Sequence, residues 1–389
     1  MKIGFLLPTF FASSALFPNR IFAPKLLARD TIDGLIKNGH EVFVFSTPDF
    51  ETKGTLIPGD ISYQQKNLPY FKLRNEHPGD RSVRTDEVLK RNFELSVTAQ
   101  AFAYARKHQL EIIHSYHDFV FTPHYFEEVA QIPTVYTLHD PLPPENSFEY
   151  AEFQKFSAHC YVSISMSQQR SSLKLNFVNT VYHGIQLDDF PFQAAASDYI
   201  LFMGRLVPEK GLHSAIEVAI SENIRLEIGT QFPDHEKEDS YFVTKVKPFL
   251  ENPLIAEPGM VNGADKLLLY KQARALLFPI EWEEPFGMVM IEAMACGTPV
   301  IAYNRGSVAE VVKDGVTGFI IDPDDAERPG KGNWIIKKSG IAGLTDAVQR
   351  ISEIDRVACR RHVEEKFTVA QMVKGYEAVY LKALQSKSQ

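Results

Sequence analysis

The chain has 389 residues, 44% hydrophobic and 23% charged, and 49 acids against 41 Lys and Arg leave a net charge of −8. That length exceeds the roughly 250–300 residues at which one hydrophobic core stops growing, so two domains are expected, and the composition excludes disordered and fibrous classes. An acidic balance argues against a nucleic-acid partner. Three distant cysteines, Cys160, Cys296 and Cys359, offer neither a disulfide framework nor a zinc knuckle and fit a reducing compartment. The apolar run ended by Pro8 is too short for a signal peptide, and no stretch reaches ~18 uninterrupted apolar residues. A cytoplasmic protein with no integral membrane segment is the expectation.

In chain order, Ile3–Leu7 reads as a buried strand, Lys25–Lys37 as an amphipathic helix closed by Asn38-Gly39, and Glu41–Phe45 as the next strand. Strand, helix, glycine, strand is a βαβ unit, which implies parallel pairing. The pattern continues with a helix over about Asp86–His108, strand Glu111–Ser115, helix Pro123–Ala130 and strand Thr134–Leu138. Strand Cys160–Ile164 then leads into a helix over Gln168–Leu175. At Ile185–Ser197 the periodicity breaks. A second series follows: strand Tyr199–Met203, helix Leu212–Ser221, strand Arg225–Ile228, helix Lys266–Ala273, and strands Ala275–Phe278, Pro299–Ala302 and Gly318–Ile321. Two doubly wound α/β domains result, 1–190 and 191–389, with a final helix over about 368–386 packing back on the first. Asp322–Ser339, with three glycine or proline interruptions after Pro323, reads as a loop insertion. Ligands of such sheets bind beyond the carboxyl ends of the strands.

Two constellations fall there. Gly204-Arg205-Leu206-Val207-Pro208-Glu209-Lys210-Gly211 joins a strand to a helix, and its two cations can converge on an anion such as a diphosphate. The alternative is a solvated loop with two surface cations. In Glu284-Pro285-Phe286-Gly287-Met288-Val289-Met290-Ile291-Glu292-Ala293-Met294-Ala295-Cys296-Gly297, Pro285 is placed to open a helix and Gly297 to close it. Glu292 is the one charge on an otherwise apolar helix, and a buried carboxylate needs donors such as a pair of ribose hydroxyls. Glu284 precedes the helix, where the free amides of Phe286, Gly287, Met288 and Val289 suit phosphate or sugar oxygens. The alternative is an exposed Glu292 and a solvated acidic cluster.

These motifs, with Arg305-Gly306-Ser307 and the Glu310–Phe319 stretch after it, resemble the retaining glycosyltransferases of family 4. The resemblance covers roughly Tyr199–Ile321 and is weaker elsewhere. It implies the GT-B fold, two Rossmann-like domains facing across a cleft. It implies that Arg205 and Lys210 grip the donor diphosphate in place of a metal, and that Glu292 holds the ribose and Glu284 the transferred sugar. It further implies that the amides of Phe286–Val289 contact phosphate and sugar. His139, in Tyr136-Thr137-Leu138-His139-Asp140, is similar to the histidine that reaches the sugar from the acceptor side. His114 and His117 have H-x-x-H spacing but no third ligand, so His114 reads as structural or acceptor-loop and His117 as acceptor-side.

Two departures stand out. The family's glycine pair after the first strand is absent from Thr9–Arg20, and His183-Gly184 stands where Asn-Gly is commoner. Asp322-Pro323-Asp324 matches the metal-binding D-x-D but reads as a proline turn, and neither G-x-G-x-x-G after the first strand nor a P-loop is present. The implied activity is metal-independent transfer of a hexosyl unit, with retention, from a UDP-, GDP- or ADP-linked sugar to an acceptor hydroxyl, with no other cofactor. The competing readings are a GT-B sugar-nucleotide epimerase and a non-catalytic sugar-nucleotide-binding protein.

Overall fold

The structure is a computed structural model and describes residues 1–17, 22–66, 83–116, 120–230, 240–256, 259, 261, 263–324 and 332–386. The chain divides into two units. The first comprises Met1–Ile164, Gln169–Tyr182 and Val369–Gln389, the second Ser165–Gln168 and His183–Thr368.

The first unit is built on seven parallel strands, β1 (Lys2–Leu6), β2 (Glu41–Ser46), β3 (Thr55–Pro58), β4 (Ile112–Ser115), β5 (Thr134–Thr137), β6 (Cys160–Ser163) and β7 (Phe177–Thr180), in the order β3-β2-β1-β4-β5-β6-β7. Its central strands β1, β4 and β5 are buried along nearly their whole length because helices cover both faces of a parallel sheet. Those helices are α1 (Ala23–Lys37), α2 (Val83–His108), α3 (Thr122–Ala130) and α4 (Phe148–Lys155). α1 has Pro24 in its first turn and buries Leu27, Ala28, Thr31, Ile32 and Leu35, a stripe at helical spacing. Under α2, Phe10, Phe45, Phe93, Val97, Phe102 and Ile113 form one core cluster.

The second unit has five parallel strands, β8 (Tyr199–Met203), β9 (Arg225–Gly229), β10 (Ala275–Phe278), β11 (Val300–Tyr303) and β12 (Gly318–Ile321), ordered β12-β11-β10-β8-β9. Its helices are α5 (Leu212–Ser221), α6 (Gly263–Gln272), α7 (Met288–Ala295), α8 (Val308–Val311), α9 (Gly340–Arg350) and α10 (Arg356–Lys366). α11 (Val369–Ser386) belongs to the first unit, against α1, β5 and β7. No helix among the described residues is long and apolar enough to cross a membrane.

Two expectations are corrected. Gln168–Leu175 is not a helix: a single tight turn, Ser167–Gln169, is followed by irregular chain. The amides that would start a helix are taken by side chains, Met166 and Ser167 donating to Glu310 (2.7 Å each) and Gln168 to Ser165 Oγ (3.2 Å). Such local competition disfavours helix. Pro285 does not open α7 either, because the helix begins at Met288 with Gly287 as its N-cap at φ 79°.

In the second sheet the order reverses between β8 and β10, and in the first between β1 and β4. At such a reversal the loops leaving two neighbouring strands diverge and open a crevice at their carboxyl ends. This topology singles out the loops after β8 and β10.

Candidate functional site

The loop after β8 ends at Gly211, whose φ of 74° and close packing exclude other residues, since a Cβ there would lie 2.0 Å from the Pro279 carbonyl oxygen. The two loops thus touch backbone to backbone, and the Glu281 amide donates to the Glu209 carbonyl (2.8 Å). Beyond Glu281 the chain turns tightly, with the Glu284 amide donating to the Trp282 carbonyl (2.9 Å). That turn brings two side chains together, and Trp282 Nε1 donates to Glu284 Oε2 (2.8 Å).

Lys210 Nζ pairs with the same Oε2, and each side chain of the pair is only 12% exposed. The ammonium also stands 4.9 Å from the centre of the Trp282 ring, in reach of its negative face. Arg205, in the same loop as Lys210, is exposed, and its side chain makes no ion pair with a described residue. The two cations foreseen at one anion therefore start from different states.

The Arg305-Gly306-Ser307 segment supports the Glu284 loop from below. The Ser307 amide donates to the Glu284 carbonyl (2.9 Å) and its hydroxyl to the Phe286 carbonyl (2.7 Å). Gly306 lies at φ 54° with its missing Cβ 2.1 Å from the Glu284 carbonyl oxygen, and its amide donates to Glu283 Oε2 (2.7 Å).

α7 opens directly after this loop. The amides of Met288 and Val289 have no intrahelical acceptor and carry the positive end of the helix. The Phe286 ring is buried against His183 (5.0 Å between ring centres) and Phe367 (6.0 Å), so the ring is engaged within the fold. Burial holds the His183 imidazole down to about 3, neutral at all ordinary pH. Glu292, one turn into α7, is 12% exposed and already has donors: Tyr270 OH at 2.7 Å and Lys266 Nζ at 2.9 Å, both reaching Oε2 from α6.

In the first unit, His139 follows β5, half-buried, with its ring edge-on to Tyr116 (4.4 Å). His114 is a structural residue: fully buried on β4, it has Nδ1 2.8 Å from Tyr380 OH and Nε2 2.7 Å from Thr137 Oγ1, and burial lowers it to about 3. His117 lies outside the described residues. In place of a glycine pair after β1, the chain forms a turn over Phe10–Ala12 capped by Thr9. Phe10 is buried beside Phe11 (4.8 Å) and Phe17 (5.7 Å), and Asp49 Oδ2 accepts from Ser13 Oγ and the Ala15 amide. Asp322 spends its carboxylate on the Gly332 amide and Trp334 Nε1 (2.9 Å each), as a loop anchor.

Sequence reasoning missed Trp282, Lys266 and Tyr270. Trp282 had a readable signal, a lone indole two residues before Glu284 in an acidic cluster. Lys266 and Tyr270 are 26 and 22 positions from Glu292 and had none.

Two parallel, doubly wound sheets joined in one chain define the GT-B class of α/β protein. The fold of Anabaena HepE, solved in complex with UDP, superposes with a TM-score of 0.66 at 17% identity, covering 98% of this chain and 100% of that one. Residues 188–332 match the family model for Glycosyl transferases group 1. Among curated proteins, Bacillus subtilis YtcC is 28% identical over 239 residues, 55% of this chain and 56% of that protein. Glycogen synthase of Mycobacterium tuberculosis is 28% identical over 190 residues, 47% and 42% respectively. The chain spans about half the length of these curated relatives.

Proposed function

We propose that the protein is a retaining glycosyltransferase that moves a hexosyl unit from a nucleotide diphosphate sugar to an acceptor hydroxyl without a metal. The observation that carries this reading is the meeting of Lys210, Glu284 and the α7 N-terminus at the β8–β10 reversal. A cation and helix amides suit a diphosphate, and a nearby carboxylate suits sugar hydroxyls. The relationship to Glycosyl transferases group 1 and the UDP bound by HepE support a nucleotide sugar as ligand.

In this mechanism the bond from the anomeric carbon to the diphosphate oxygen breaks and its electron pair goes to the leaving group. Lys210 and Arg205 stabilise that growing charge where it develops. The sugar passes through an oxocarbenium-like state, and the acceptor oxygen bonds to the anomeric carbon from the face the diphosphate leaves. Its proton passes to a donor phosphate oxygen. Glu284 and the Met288 and Val289 amides hold the sugar and phosphate, Glu292 the ribose, and His139 is assigned to the acceptor side. Asp322 is engaged in its own loop, which favours cationic side chains over a D-x-D metal site for the diphosphate.

Thermal stabilisation by a panel of UDP-, GDP- and ADP-linked sugars tests the reading, because a ligand that binds the folded state raises its stability by mass action. One nucleotide series should stabilise, and transfer or slow hydrolysis of that donor should persist in EDTA. Activity lost in EDTA and restored by Mn²⁺ or Mg²⁺ would refute the metal-free mechanism. No stabilisation by any member would refute the donor class.

A further inference from the structure

Lys210 already has an anionic partner within the fold. Its ammonium pairs with Glu284 Oε2, within a site that leaves both side chains 12% exposed. On the reading above, Lys210 is also the cation for the diphosphate, and its single positive charge is divided when two anions share its three N–H donors. Donor binding therefore competes with Glu284 for Lys210. Releasing a largely buried carboxylate is costly if nothing else donates to it. Trp282 supplies the remaining donor: its indole N–H reaches the same Oε2 at 2.8 Å, and the Glu284-to-Trp282 backbone bond at 2.9 Å fixes the two residues relative to each other.

We propose that Trp282 is a positioning residue that keeps Glu284 in place while Lys210 exchanges Glu284 for the donor diphosphate. The Lys210–Glu284 pair is then a latch opened by the donor, and Trp282 lowers the cost of opening it. This rests on the proposed nucleotide-sugar site. The geometry also gives a reporter. Trp282 and Trp334 are the only tryptophans in the chain, and the Lys210 ammonium lies over the Trp282 ring only while the latch is shut.

The test is titration calorimetry with UDP, GDP and ADP on a double-mutant cycle, followed with whichever diphosphate the wild-type chain binds. Glu284→Gln removes the competitor for Lys210 and should tighten diphosphate binding, roughly 5-fold for a partly buried ion pair. Trp282→Phe keeps a ring but loses the N–H, leaving Glu284 dependent on Lys210, and should weaken binding about 10-fold, the scale of a hydrogen bond to a charged group. In the Glu284→Gln background the Trp282→Phe effect should fall below about 2-fold, since Trp282 acts through Glu284. In a Lys210→Ala background the tightening by Glu284→Gln should vanish. Trp334→Phe protein, whose tryptophan emission comes from Trp282 alone, should change that emission as the diphosphate saturates. This arm does not depend on Trp282→Phe folding.

An equal loss from Trp282→Phe in both backgrounds would make the residue a packing element and overturn the proposal while leaving the nucleotide site intact. So would tightening by Glu284→Gln that persists without Lys210, which is plain charge repulsion, or unchanged Trp282 emission at saturation. Failure of the wild-type chain to bind any of the three diphosphates would overturn the underlying reading as well.

Discussion

Glu94 on α2 has a side chain 7% exposed, with Lys90 Nζ 3.7 Å away. Burial pushes its carboxyl up to about 7 from 4.5, and Lys90 only partly opposes this. Between those values the unfolded chain gives up the proton while the folded chain keeps it. Stability is therefore complete below about pH 4.5, falls as pH rises, and is short by on the order of 3 kcal/mol above pH 7. Glu94→Gln should recover most of that deficit at pH 8 and change little at pH 4.5, as read from urea midpoints. An equal shift at both pH values would mean that the effect comes from packing. Glu292 is a carboxylate in the opposite situation, satisfied by Tyr270 and Lys266. If it holds the ribose, Glu292→Gln should weaken nucleotide diphosphate binding about 10-fold. Because Tyr270 and Lys266 already hold one oxygen, Tyr270→Phe should weaken it less, through a carboxylate that is merely less well held. Calorimetry with the diphosphate that binds wild type decides the order. A larger loss from Tyr270→Phe would take Glu292 out of the ribose contact.

At the scale of elements, the site depends on two loops that can touch only because Gly211 has no side chain. Gly211→Ala would force a Cβ into the Pro279 carbonyl at a φ that costs an L-residue about 1–2 kcal/mol before any clash. The expected outcome is loss of diphosphate binding larger than that of Arg205→Ala, with a measurable fall in melting temperature. Full binding in Gly211→Ala would mean that the loops need not meet. The same region explains what could be read in advance. β8, α5, β10 and β12 coincide with the segments expected from periodicity, because each is an apolar run or stripe bounded by turn residues. β3 (Thr55–Pro58) and β7 (Phe177–Thr180) are four-residue strands, half-buried or more open, and too short to show alternation. α9 carries two glycines and α10 is rich in Arg, so neither reads as a core helix, although Arg356 of α10 is fixed by the carbonyls of Gln193, Lys271 and Ala273. At the candidate site, the loops holding Lys210 and Glu284 could be placed from the sequence, the first after a strand and the second just before a helix. Their pairing was not, because it spans 74 positions and depends on which strands are neighbours.

At the scale of the molecule, the first unit is completed by the last stretch of chain. α11 buries Met372, Val373, Tyr376, Val379, Tyr380 and Ala383. Its polar anchors are Glu377, reached by Asn38 Nδ2 (3.0 Å) and His40 Nε2 (2.9 Å), and Lys382, which donates to the Val178 carbonyl (3.1 Å). Tyr380 meets His114 in the middle of the sheet. Removing residues 369–389 would uncover α1, β5 and β7 together, and several large apolar side chains at roughly 1.5–3 kcal/mol each exceed the stability of most domains. Hydrogen exchange should then show lost protection in β1–β7 with β8–β12 still protected. Uniform protection would mean that the helix is dispensable. The same contact sets an acid limit on the intact chain. His114 is held to about 3 by burial against an ordinary 6.5, so the unfolded chain takes up a proton that the folded chain refuses. Its contribution is present above about pH 6.5 and is lost as pH falls from there towards 3, by about 1.4 kcal/mol per unit. His114→Gln removes the titrating group and should flatten this acid dependence, even though the variant is less stable at pH 7. An unchanged slope between pH 6 and pH 4 would assign acid sensitivity to other groups, buried His183 first among them.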